Sequence, residues 1–128
     1  MIMKIVTLIA RVLLGLLFAV FGLNGFLHFI PMQPPTGLAG QYMGALFLSH
    51  YLTVVFALEL VGGLLLLVNR YVPLALTLLG PVLVNIVLFH ACLAPAGLPM
   101  ALFAVVLWLI VFAGVRGSFA GLLVQKVA

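Results

Sequence analysis

The sequence predicts an all-α membrane protein, an antiparallel bundle of four transmembrane helices with the N and C termini cytoplasmic. Two observations predict this class: 68% of the 128 residues are hydrophobic and 5% are charged, whereas soluble domains carry about 25% charged residues. Five basic residues and one acidic residue cannot cover a soluble fold of this length with polar groups. We therefore expect a single transmembrane domain, residues 1–128, in a lipid bilayer.

Four apolar stretches are each long enough to cross a bilayer, which requires about 20 residues per helix. Residues 69–71 and 94–97 are such short connections that the helices they join must be antiparallel neighbours. The predicted spans are about residues 5–28, 46–68, 72–93 and 98–115, with an outer loop at about residues 29–45.

The outer loop is the longest connection and is rich in proline and glycine. Two interpretations stay open for it. In the first, Thr36 caps a short interfacial helix that continues through Tyr42 into the second span. In the second, the loop is a plain connector.

Basic residues predict the orientation of the bundle. Lys4 precedes the first span, Arg70 lies between the second and third, and Arg116 and Lys126 follow the fourth. These residues share one side of the bundle, which the positive-inside rule makes cytoplasmic. They do not cluster on one face, which argues against a nucleic-acid partner. The single cysteine, Cys92, excludes an internal disulfide.

Glu59 is the sole acidic residue and lies inside the second predicted span. An intramembrane charge costs about 2.5–3.5 kcal/mol on insertion scales, so it is expected to have a partner. Arg11 has a similar predicted depth in the first span, and the sequence therefore predicts a buried Arg11–Glu59 ion pair. The pair either joins the helices or belongs to a site where Glu59 binds a proton or a cationic group. Small residues on these helix faces predict that the two helix backbones approach closely. They are Gly15, Gly22, Gly62 and Gly63.

Polar residues gather at the predicted outer ends of the first three spans. Nearby aromatic and methionine side chains would give a pocket there a flat apolar wall, which suits a ring such as a quinone. The same side chains also fit an aromatic belt at the bilayer surface without a ligand. The candidate ligand-binding residues are Asn24, His28, Asn85 and His90.

Three histidines, His28, His50 and His90, are weak candidates for a metal site, since imidazole is a common metal ligand. Helical geometry disfavours this site, because one pocket for all three requires at least one helix to bend. The Gly80-Pro81 pair is where such a bend is possible. Our expectation is that the chain has no metal site.

Two segments resemble a known family: Arg11-Val-Leu-Leu-Gly15 followed by Phe21-Gly22, and Glu59-Leu-Val-Gly62-Gly63 followed by four leucines. They are similar to the DoxX family of small four-helix membrane proteins. The resemblance implies a bacterial or archaeal cytoplasmic (inner) membrane and a redox-linked role, since the family name comes from a subunit of a thiosulfate:quinone oxidoreductase. The family's arginine and glutamate correspond to Arg11 and Glu59, but this chain lacks the lysine that follows the first-span glycine in many members.

Three functional hypotheses remain open. The first is a DoxX-like inner-membrane subunit that works beside a redox partner and holds a quinone. The second is a small proton-coupled transporter that uses Glu59, and the third is a structural accessory subunit of a larger membrane complex. We expect the chain to associate with a membrane protein partner or with further copies of itself, and enzymatic activity stays open.

Overall fold

The computed structural model describes residues 1–127. Helix makes up 83% of this structure, and none of the described residues forms a strand. This confirms the predicted all-α class. Two 3₁₀ segments flank the last helix, Pro95–Gly97 before it and Arg116–Leu123 after it. The α-helices are α1 (Ile2–Leu27), α2 (Gly37–Leu48), α3 (Tyr51–Leu67), α4 (Val72–Cys92) and α5 (Leu98–Val115).

Three helical parts of the chain are long and apolar enough to cross a membrane: α1, α4, and α5 with its flanking 3₁₀ segments. Helices α2 and α3 meet that condition only when they are taken together. They are bent by 85° against each other, so the pair forms either a broken span or a re-entrant loop. The protein is therefore a multi-pass membrane protein with three or four spans. Within the predicted second span, about residues 46–68, the straight helix is α3, which begins at Tyr51 because α2 ends at Leu48.

The break between α2 and α3 lies at Ser49 and His50. His50 has a left-handed backbone conformation, with φ of 64°, which interrupts the helix. The Ser49 hydroxyl donates to the Leu46 carbonyl over 3.2 Å and accepts from the Tyr51 N–H over 3.4 Å. Such local hydrogen bonds between side chain and backbone compete with helix continuation. The break leaves α3 with 17 residues, the short end of the range that crosses a bilayer.

Helix α2 occupies most of the predicted outer loop, so this connection contains a short helix, but the helix does not continue straight into α3. Thr36 stands at the N-cap position, although its side chain makes no capping hydrogen bond. The helix turns away from the axis of α3, and its Tyr42 ring stacks on Phe89 of α4 with centroids 5.8 Å apart. Helix α2 therefore lies across the ends of α3 and α4.

The other four helices form a ring in which α1 and α4 each pack against both α3 and α5. The largest fully buried side chains are Leu14, Leu66, Leu76, Leu79 and Val111. Many large apolar side chains also lie on the outside of the ring, which is unfavourable in water but matches an environment of lipid tails.

Helices α1 and α3 approach backbone to backbone along a glycine seam, which consists of Gly15 and Gly22 on α1 and Gly63 on α3. A Cβ atom on Gly22 would lie 2.6 Å from the Leu60 nitrogen, and one on Gly63 would lie 2.8 Å from the Gly15 carbonyl oxygen. Neither position has room for a larger residue. The predicted close approach of the two helices is confirmed.

The two ends of the ring differ in their polar residues. One end of the ring holds the start of α1 and the finish of α5, with Gly114 against Thr7. Both described chain ends and Arg70 lie at this end, which we call the basic end. The opposite end, where α1 finishes and α2 crosses, carries His28, His50 and His90, and we call it the histidine end.

We expect the substitution Gly22→Ala to destabilise the protein by about 1–3 kcal/mol, because the added methyl group meets backbone atoms that cannot rotate away. Gly44→Ala is the matched control, since a Cβ at Gly44 has no neighbour within 4 Å. The measurement is the free energy of unfolding in detergent micelles. Equal stability of the two variants would contradict the close packing of the glycine seam.

Candidate functional site

Arg11 lies on the α1 face that meets the last turn of α3. Its guanidinium donates hydrogen bonds to the Leu66 carbonyl and, over 3.4 Å, to the Leu67 carbonyl. Carbonyl groups in the last turn of a helix lack helical N–H partners and carry partial negative charge. A cation placed there stabilises the helix end. Arg11 therefore caps the C-terminus of α3.

The predicted Arg11–Glu59 ion pair is wrong, because the guanidinium binds these carbonyls and not the Glu59 carboxylate. The physical reason is the register of the glycine seam. Gly22 of α1 packs on the α3 backbone at Phe56 and Leu60, so Glu59 is level with Gly22. Arg11 is eleven residues away along α1, about 16 Å at the helical rise, which no arginine side chain spans.

Glu59 is buried, with 7% of its surface exposed. Its turn of α3 packs beside Gly22 of α1, and Gly62, one turn further, packs against Leu79 of α4. No side-chain hydrogen bond among the described residues ends on the Glu59 carboxylate. Every polar side-chain atom among them that is fully buried does have a hydrogen-bond partner. The carboxylate oxygens therefore keep a narrow opening. A carboxylate in such a place is suited to binding a proton or a cation.

A cavity of about 210 Å³ lies at the histidine end, between the end of α1, the end of α2 and the start of α3. We call it the His28–His50 cavity, because it is lined by both of these histidines. The remaining lining residues are Gly25, Phe26, Phe47, Leu52, Thr53 and Phe56.

The two histidines reach this cavity from two breaks in helix geometry. His28 ends α1 in a left-handed conformation with φ of 53°, and its N–H donates to the Asn24 carbonyl over 2.8 Å. His50 has the same conformation between α2 and α3, with φ of 64°. Residues other than glycine adopt this conformation at a cost of roughly 1 kcal/mol or more, and such residues concentrate at functional sites.

Asn24 was expected to bind a ligand, but it holds the chain that follows α1. It is buried, and its Oδ1 atom accepts a hydrogen bond from the Ile30 N–H over 2.7 Å. Its Nδ2 atom donates to the Met32 sulfur over 3.6 Å. Both ends of the amide are occupied, so Asn24 fixes the turn that positions His28.

Asn85 and His90, the other two expected ligand-binding residues, lie apart from the His28–His50 cavity on α4. Asn85 is exposed and donates over 3.0 Å to the Pro81 carbonyl of its own helix. His90 Nδ1 lies 3.2 Å from the Ala94 carbonyl oxygen, and its ring fills the space beside Gly97. Of the four expected residues Asn24, His28, Asn85 and His90, the His28–His50 cavity is therefore lined by His28 alone.

His90 lies apart from the cavity because α4 runs through Pro81 as one helix, so this histidine does not turn toward α1. His50 takes the place that was expected for His90. Within residues 1–127, no three histidine, cysteine or acidic side chains lie close enough together to hold a metal ion. The sequence signal for His50 was present: Ser49-His50 is a polar pair inside an apolar stretch that was interpreted as continuous helix.

The separation of Arg11 and Glu59 predicts that their substitutions act independently. We expect the destabilisation by Arg11→Met and the effect of Glu59→Gln to add within about 0.5 kcal/mol in the double variant, as for residues without contact. Unfolding free energies of all four proteins in one detergent give the coupling. A coupling energy above about 1 kcal/mol would show that the two side chains interact.

Comparisons with known proteins assign no family. No family model, curated protein or solved structure matches the chain. The resemblance of its first and third helices to the DoxX family therefore stays a prediction.

Proposed function

We propose that this chain is a DoxX-like membrane subunit that binds a quinone, or a similar flat apolar ring, in the His28–His50 cavity and works beside a redox partner. The observation that carries the proposal is the composition of that cavity. It combines two imidazoles with three phenyl rings on one concave surface. Pockets for small apolar ligands have this character, with mostly apolar walls and a few polar groups that fix orientation.

The chemistry of the lining fits a quinone in two respects. Neutral imidazole carries one N–H donor, so His28 and His50 together offer two donors for the two carbonyl oxygens of a quinone. Phe26 and Phe56 meet edge to face with centroids 6.4 Å apart, and such rings also pack favourably on the faces of other flat rings. The proposal assigns the electron donor to a partner, because one cysteine cannot form a dithiol pair.

The proposal also includes the membrane topology. Lys4, Arg70 and Arg116 all belong to the basic end, and the positive-inside rule then places that end in the cytoplasm. The histidine end would face outward, in the cytoplasmic membrane of a bacterium or archaeon. The bound ring would then lie near the outer surface of the bilayer.

We expect His28→Ala and His50→Ala each to weaken binding of a short-chain ubiquinone about three- to tenfold, the loss of one hydrogen bond of about 0.5–1.5 kcal/mol. The measurement is equilibrium dialysis of the quinone with the full chain in detergent micelles.

His90→Ala is the matched control for this experiment, because His90 lies at the same end of the bundle but outside the cavity. It should bind the quinone as the unchanged protein does. Equal affinity of all four proteins would refute the assignment of the cavity, and so would a loss that is the same for His28, His50 and His90.

A second candidate function, a proton-coupled transporter, is favoured by the surroundings of Glu59. An arginine paired with this carboxylate would compete with a proton or a transported cation. Arg11 instead donates its hydrogen bonds to the Leu66 and Leu67 carbonyls. Among residues 1–127, the buried Glu59 carboxylate has no basic partner, and intramembrane carboxylates of this kind mark proton and ion paths in transporters.

Transport in liposomes distinguishes the two functions. If Glu59 carries protons for a transported cation, Glu59→Gln abolishes uptake of a lipophilic cation such as ethidium driven by a pH gradient, and His50→Ala retains it. If the chain is a quinone-binding subunit, the unchanged protein shows no uptake above empty liposomes. A folded Glu59→Gln variant with undiminished uptake would exclude Glu59 as the proton carrier.

A further inference from the structure

A second concave surface lies on the outside of the ring, far from the His28–His50 cavity. It is a groove of about 470 Å³ between α4 and α5, and its lower edge is formed by the 3₁₀ segment Arg116–Leu123. The groove belongs to the basic end. No residue that lines it has a part in the proposed quinone site.

The groove exists because α4 has little bulk where α5 passes. Gly80 has no side chain, and a Cβ added to it would meet just one neighbour within 4 Å, the Trp108 ring at 3.6 Å. The Trp108 indole N–H donates to the Leu76 carbonyl over 3.1 Å, which fixes the ring as one wall. The groove is therefore a permanent feature of the packing of α4 and α5.

A row of three aromatic rings continues that wall toward the basic end. Trp108 and Phe112 stack with centroids 5.3 Å apart and an interplanar angle of 7°, and Phe112 contacts Phe119 at 5.0 Å. Phe119 belongs to the 3₁₀ segment, so this contact holds the segment against α5. The result is a long apolar surface, which fits an acyl chain better than a polar molecule.

Among the described residues, Arg116 is the charged residue that lines the groove, and it stands at the mouth, where α5 ends. Its side chain is exposed. Glu59 is the only acidic residue of the chain and lies inside α3, so no acidic side chain can neutralise Arg116. An apolar groove with one unneutralised cation at its mouth is complementary to an amphiphile with an anionic head group.

We propose that this groove binds an anionic phospholipid, with one acyl chain along Trp108 and Phe112 and the phosphate paired with Arg116. Arginine binds phosphate through two parallel hydrogen bonds, a geometry that lysine does not offer. Basic pockets between membrane helices hold acidic lipid head groups in the same way. The site does not depend on the quinone proposal.

The test is native mass spectrometry of the full chain, released from detergent after incubation with phosphatidylglycerol or phosphatidylcholine. The unchanged protein should retain phosphatidylglycerol preferentially. Arg116→Ala should lower the bound fraction about tenfold, the equivalent of one charge-assisted hydrogen-bonded pair. Arg70→Ala is the matched control, since Arg70 is an exposed arginine at the basic end that does not line the groove, and it should retain the lipid.

A second pair of variants tests the apolar part of the groove with Arg116 in place. Gly80→Leu puts a branched side chain into the groove and should displace the lipid, whereas Gly80→Ala adds a methyl group at an ordinary contact distance from Trp108 and should not. Equal losses in the Arg116 and Arg70 variants would overturn the proposal, because they would show attraction to surface charge alone. Equal retention of the two lipids, or retention by Gly80→Leu, would overturn it as well.

Discussion

The backbone contact between α1 and α3 determines the rest of this structure. At the glycine seam the two helices are so close that an added Cβ on Gly22 would overlap the backbone of the other helix. Contacts between small residues drive helix association in lipid, where apolar side chains gain nothing from avoiding water. They also fix the register, since each glycine fits one level of the opposing helix. The register therefore sets the position, along the bundle axis, of each polar group on α1 relative to those on α3.

The register explains how the polar groups of the two helices are separated. Arg11 falls beside the last carbonyl groups of α3, where a cation is stabilised. Glu59 falls level with Gly22, away from the Arg11 guanidinium. His28 and His50 fall at the end of the same helix pair and line one cavity. Phe56 lines that cavity, and Glu59 lies about one helical turn further along α3.

The sequence was sufficient for features that depend on composition and local spacing. Hydropathy predicted the apolar spans and their antiparallel order, and the glycines at helical spacing predicted the close contact of α1 and α3. The Arg11–Glu59 pair was wrong because hydropathy locates the ends of apolar stretches but not the register between helices. Helix α1 starts at Ile2, so it extends past α3 by the whole segment that precedes Arg11.

The cavity was beyond prediction for a related reason. Its composition depends on the left-handed residue His50, which separates α2 from α3 without any proline or glycine at the break. Because of that break, the periodicity of a straight helix does not give the position of His50 relative to Glu59. Asn24 was misassigned because an amide that binds a ligand and one that binds its own backbone look alike in sequence. Its partner, the Ile30 N–H, is defined only by the turn after α1.

The central claim is that Arg11 caps α3 and does not pair with Glu59, and a solid-state NMR distance measurement tests it most directly. Glu59 is the only glutamate in the chain, so a glutamate ¹³Cδ label reports on this carboxylate alone, and ¹⁵Nη labels on arginine probe the guanidinium groups. Our account predicts no dipolar dephasing between these two labels in lipid bilayers. It also predicts clear dephasing between arginine ¹⁵Nη and leucine ¹³C carbonyl labels, and this dephasing should disappear in the Arg11→Met variant. Strong dephasing between arginine and the Glu59 carboxylate would contradict the account.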